Sequence, residues 1–131
     1  MPVVVEAGKI KVVTDLKDVS GTDPVILYTA MPPYNKFTIK KVIIVNPDSA
    51  DHEVILGEYD TSALAWKKDK VIIKVAADEA KELTEKELPA DFVMTTDPET
   101  AILAWAAKLD ADVTANPVKV KAEFEAEPLV I

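Results

Sequence analysis

The 131-residue chain has no cysteine, no arginine and no glutamine, and its only histidine is His52. Without cysteine there can be no disulfide framework, no thiolate-ligated zinc and no thiol nucleophile, and the redox compartment is left open. Without arginine, the side chain best shaped for a two-pronged grip on carboxylate or phosphate is missing, so a tight anion site would need lysine or backbone amides. Asparagine occurs only at Asn35, Asn46 and Asn116; with the missing glutamine, this depletion of thermolabile types fits a hot habitat and a thermostable protein. Glycine occurs only at Gly8, Gly21 and Gly57, too few and too scattered for a P-loop or a dinucleotide fingerprint, which excludes nucleotide chemistry. No stretch reaches the roughly 18 consecutive apolar residues of a membrane span. Met1–Glu6 lacks the basic start and apolar run of a secretory signal, so a soluble chain with no membrane partner is expected.

What is present points to a packed domain. Apolar residues make up 49% of the chain, enough for a core at this length without metals or disulfides, and one domain over 1–131 is expected. The net charge of −8 argues against nucleic acid as a partner, because phosphate backbones call for a basic face.

The strongest local pattern is at the C-terminal end. Val118, Val120, Ala122, Phe124 and Ala126 alternate with Lys119, Lys121, Glu123, Glu125 and Glu127. Period two means a half-buried strand. Lys36–Val45 is rich in β-branched residues, which lose side-chain freedom in a helix, and it reads as a long strand. The turn residues 46–51 follow, then His52–Leu56 up to Gly57, and together these segments predict a β-hairpin. Val3–Val5, Ile10–Val13, Val25–Thr29 and Val71–Val75 are further strands. Nine prolines fall mostly at the borders of these segments. Two segments favour helix by composition: Ala77–Leu88, and Ala101–Trp105 behind the Asp97-Pro98-Glu99 cap, the second of which we favour as a strand. The expected architecture is all-β, an antiparallel β-sandwich of jelly-roll-like type with room for one short helix.

No catalytic, cofactor-binding or metal site is legible. Asp51, His52 and Glu53 are adjacent on a strand and point to alternate faces, so they cannot converge, and His52 is expected to be exposed in a charged hairpin. With one His and no Cys, a transition-metal site would be almost entirely carboxylate. The acidic groups Asp48/Asp51, Asp91/Asp97/Glu99 and Asp110/Asp112 lack the spacing of a calcium loop and read as solvated turns. No nucleophile context surrounds Ser or Thr. Trp66, Trp105, Tyr28, Tyr34 and Tyr59 could stack on sugars, but their commoner role is to fill a core or anchor an interface.

The run from Val25 to Asn46, with Leu27-Tyr28-Thr29, Pro32-Pro33 and the Phe37–Val45 strand, resembles small β-sandwich structural proteins of tailed phages. Tyr28, Pro33, Ile39, Ile43 and Asn46 fall where that pattern would place them. The resemblance implies a non-enzymatic capsid-decorating or tail-associated subunit on the virion. Its partners would be copies of itself, as a ring or trimer, and a major capsid or other structural protein. Apolar segments at Met1–Val5 and Leu129–Ile131 agree with strand exchange between copies. The rival readings are an extracellular filament subunit built by strand exchange and a secreted carbohydrate-binding sandwich using Trp66 or Trp105.

Overall fold

The computed structural model describes residues 3–6, 9–30, 34, 36–88, 91–93 and 103–128. Eleven strands form two antiparallel sheets: β1 (Val3–Glu6), β2 (Lys9–Val13), β3 (Lys17–Val19), β4 (Val25–Thr29), β5 (Lys36–Asn46), β6 (His52–Asp60), β7 (Ala65–Val75), β8 (Glu79–Thr84), β9 (Asp91–Val93), β10 (Leu103–Leu109) and β11 (Val118–Glu127). The described residues include no helix.

The first sheet runs β1-β2-β11-β5-β8, and the second runs β4-β10-β6-β7. Two strands of the first sheet are broken. β2 and β3 lie end to end along β11, and β8 and β9 lie end to end along β5. Thr14 bridges the first break: its backbone N–H donates to the Ala122 carbonyl at 2.9 Å, and its hydroxyl accepts from the Ala122 N–H at 3.0 Å. If each broken pair is counted as one strand and β1 is set aside, eight strands remain. Their order, (β2/β3)-β11-β5-(β8/β9) over β4-β10-β6-β7, is that of a jelly roll.

Alternation fills the space between the sheets. β11 buries every second residue, Val118 through Ala126, as the period-two pattern requires. In β5 a bulge sets Lys40 and Lys41 side by side, so Phe37 and Ile39 before it and Val42 and Ile44 after it all face inward. At the centre Phe37 meets Tyr28, Trp105 and Phe124 edge-on, at 6.2, 5.9 and 6.0 Å between ring centres. Trp105 also stacks on Phe124 at 5.0 Å. Edge-on and offset contacts set the positive ring edge against the negative face and add to the gain from burial.

Several expectations need correction. β5 and β6 are not a hairpin: β5 pairs with β11, β8 and β9, β6 pairs with β10 and β7, and residues 47–51 cross between the sheets. Both strands have buried inner faces, and packing two sheets face to face hides more apolar surface than pairing them side by side would. β6 also continues through Gly57 to Asp60. Ala77–Leu88 is no helix; its residues 79–84 form β8, because pairing with β5 outweighs the helix propensity of Ala, Glu and Lys. Residues 103–109 of the second ambiguous segment are strand β10, as favoured. Pro33, Pro98, residues 129–131 and the Asp97/Glu99 group lie outside the described residues.

Candidate functional site

One end of the roll is built around a buried carboxylate. Asn46, Asp48 and His52 are all fully or nearly fully buried, in the turn that takes the chain from β5 to β6. Asn46 closes β5 and holds the turn: its Oδ1 accepts from the Asp48 N–H at 3.0 Å, and its Nδ2 donates to the Ala50 and Ala76 carbonyls, each at 3.0 Å. Asp48 Oδ1 accepts from the Thr114 hydroxyl at 2.7 Å and from the N–H groups of Ala115 and Asn116 at 2.9 and 3.3 Å. Its Oδ2 accepts from the Thr114 N–H at 3.0 Å and lies 2.7 Å from His52 Nε2.

Burial alone would raise the Asp48 pKa. The bonds from His52, Thr114 and Ala115 overcome that and hold the carboxyl well below the usual carboxylate range. An ionised Asp48 can only accept, so His52 Nε2 carries the proton and donates. His52 is therefore not the exposed histidine expected from the sequence. It sits on the inner face of β6, and its carboxylate partner comes from four residues earlier rather than from its neighbours.

Asp51 Oδ1 accepts from the Ala77 N–H at 2.8 Å, and Glu53 is half-buried. Asp110 faces the other ring nitrogen: its Oδ1 is 3.6 Å from His52 Nδ1 and accepts from the Glu53 N–H at 3.0 Å. Asp48 is thus buried rather than solvated, whereas Asp110 and Asp112 are exposed as expected. An open cleft of 480 Å³ is lined by Asp51, His52, Glu53, Lys74, Val75, Ala76, Glu79, Lys81 and Asp110. Among the described residues no three metal-ligating side chains converge.

The two outer faces of the sandwich differ in kind. On the first sheet, ions of both signs interlock: Lys9 with Glu125, Lys36 with Glu127, Lys41 with Glu82 and Glu123, and Lys119 with Asp18, at 2.7 to 3.9 Å. The hydrogen bond to Glu82, then the charges of Glu82 and Glu123, raise the Lys41 pKa. Such exposed pairs keep a surface wet more than they stabilise it.

The second sheet turns apolar residues outward. Register places Ile26 with Ala106 and Gly57, Ile55 with Lys108 and Ile72, and Tyr59 with Ala104 and Trp66. Ile72 is 54% exposed and Ile26 40%, while Ala104 and Ala106 are fully buried although they lie outside the core between the sheets. The Trp66 indole covers part of this face. A Cβ on Gly57 would come within 2.5 Å of Trp66 Cζ2, so the ring rests directly on the glycine. The Lys108 ammonium stands over the ring at 4.2 Å, and the indole N–H donates to Asp69 at 2.7 Å. Trp105, by contrast, is entirely in the core. Trp105 thus takes the commoner core-filling role, and the Trp66 ring lies against Gly57 with the Lys108 ammonium over it. The turn before β7 adds Leu64, 76% exposed with φ of 55°.

No family model and no curated protein matches the chain. Solved structures similar to it include one described under "Bacillus endospore appendages form a novel family of disulfide-linked pili", at 10% identity and a TM-score of 0.46, covering 99% of this chain and 100% of that one. A second is the coat protein of tobacco streak virus, at 9% identity and 0.40, covering 98% and 91%. A third is the extra small virus (XSV) VLP of the giant freshwater prawn Macrobrachium rosenbergii, at 15% identity and 0.38, covering 99% and 86%. At these identities and TM-scores the likenesses assign no function, which has to be argued from the chain's own surfaces.

Proposed function

We propose that this chain is a non-enzymatic structural subunit that assembles with copies of itself, as a capsid-decorating or cementing protein on a virion surface. The observation that carries the reading is the contrast between the two outer faces. One is a lattice of ion pairs suited to water, and the other sets Ile26, Ile55, Ile72, Tyr59 and Trp66 together on a sheet. Clustered apolar side chains on one face mark an interaction surface, whereas scattered ones would not. Leu64 agrees: an exposed apolar side chain in a backbone conformation that suits Gly or Asn costs stability on the isolated chain and is useful against a partner. A small symmetric oligomer, a trimer first among them, would bury this face, with a major capsid protein as the second partner.

A second reading has its own observation. β1 lies outside the eight strands of the roll, at the edge of the first sheet, and only Ala7 and Gly8 join it to β2. An edge strand on so short a connection can be exchanged between copies, which would build an extracellular filament.

Light scattering behind a sizing column separates the two. The decoration reading expects an oligomer that falls to monomer in Ile26→Glu/Ile72→Glu and persists when residues 1–6 are removed. The strand-exchange reading expects the reverse. A wild-type chain that stays monomeric at high concentration would overturn both.

A further inference from the structure

His52 has one nitrogen accounted for and one that is not. Its side chain is 2% exposed, Nε2 donates to Asp48, and Nδ1 is buried with no hydrogen-bond partner. In the tautomer that carries its proton on Nε2, the ring aims a lone pair from Nδ1. What it faces is an oxygen of Asp110, also an electron donor, 3.6 Å away. Two donors held face to face at this distance repel unless a cation lies between them.

We propose that the cleft at this end of the roll binds a divalent transition cation of the zinc, nickel or copper class between His52 Nδ1 and Asp110 Oδ1. The span suits such an ion: two bonds of about 2.1 Å meeting across 3.6 Å enclose an angle of roughly 120°, close to the tetrahedral value. Imidazole nitrogen selects this class over magnesium or calcium. The Asp48 carboxylate already stands where a ligating histidine needs a partner on its far nitrogen, fixing the ring's orientation.

The cleft has the right sign. Asp51, Glu53, Glu79 and Asp110 stand against Lys74 and Lys81, four carboxylates to two ammonium groups. Lys81 is in turn engaged with the Lys74 carbonyl and Glu79. Because no third protein ligand is in place, water completes the coordination, and the ion exchanges with chelators. Binding would tie the start of β6 to the end of β10 and so add to the bonds that already hold this end together. The proposal is independent of the assembly reading.

The test uses the full chain, freed of metal with EDTA and labelled with ¹⁵N, titrated with zinc or magnesium. Zinc is expected to shift the His52 Nδ1 resonance while Nε2 keeps its proton, and to raise the melting temperature by several degrees; magnesium does neither. Asp110→Asn keeps an oxygen for the Glu53 N–H but loses the charge, and should weaken zinc binding by about tenfold or more. A His52 Nδ1 that already carries a proton and ignores millimolar zinc would overturn the proposal, leaving a proton as the cation between the two groups. Equal zinc affinity in Asp110→Asn would overturn it too, by locating the ion on other carboxylates.

Discussion

Gly57 offers the sharpest test of how the apolar face is built. Replacing it with alanine adds one methyl group, and that methyl meets two obstacles: Trp66 Cζ2 at 2.5 Å and, closer still, the backbone carbonyl of Lys68. The indole can swing away, but the carbonyl belongs to β7, paired with β6 across this position, and it cannot retreat without opening the ladder. Loss of glycine's freedom in the unfolded chain would by itself stabilise the variant by about 0.4–1 kcal/mol. Overpacking against a fixed neighbour costs about 1–3 kcal/mol, and a backbone obstacle places this case toward the upper end. The net is a destabilisation of about 1–2 kcal/mol, which at an ordinary urea slope lowers the midpoint by about 0.5–1 M. Trp66 emission should shift to the red at the same time, as the ring lifts from the sheet, while Trp105 in the core contributes an unchanged background. A Gly57→Ala chain as stable as the parent, with unshifted emission, would refute the close approach of β7 and Trp66 to this glycine.

Two other perturbations reach different parts of the molecule. The Asp48 pKa is depressed in the folded chain, so its contribution to stability is fully present above the unfolded value of about 4 and is lost progressively as pH falls below it. Asp48→Asn should destabilise at neutral pH and flatten that acid limb, seen by urea melts at stepped pH. Leu64→Gly should raise stability by about 0.5–1 kcal/mol, since relief of the left-handed backbone outweighs glycine's extra freedom when unfolded. The same substitution should weaken self-association if the exposed leucine belongs to the interface, which a sizing column would show.

The parts of the fold legible in the sequence are those where one residue decides its own surroundings. Alternation gave β11 from Val118 to Glu127, and β-branched runs gave β4 and most of β5, because period and propensity are local properties. What escaped was partnership. The turn at Asn46–Asp51 looks the same whether it closes a hairpin or crosses to the opposite sheet; the choice rests on β10 and β11, more than fifty residues away. β3 and β9, three residues each, carry too little pattern to be seen. Asp48 was misread for the same reason. An aspartate in a polar turn is ordinarily solvated, and only the backbone of residues 114–116, brought in from the far side of β10, turns it into a buried acceptor. His52 follows from Asp48. The one available signal was their spacing: a carboxylate four positions ahead of the single histidine, across a turn already marked by Asn46 and Pro47.

The position of β11 also bears on synthesis. It lies in the middle of the first sheet, between β2/β3 and β5, and Lys119 meets Asp18 across 101 positions of chain. Until residues 118–127 have left the ribosome, the facing edges of β2 and β5 have no strand between them, and the first sheet cannot close. A nascent chain halted before Val118 would carry two unsatisfied edges and an aromatic cluster without Phe124, open to any neighbouring polysome product. Closure of the first sheet therefore waits on residues 118–127, and the cell has to keep copies of this chain apart until that strand is made.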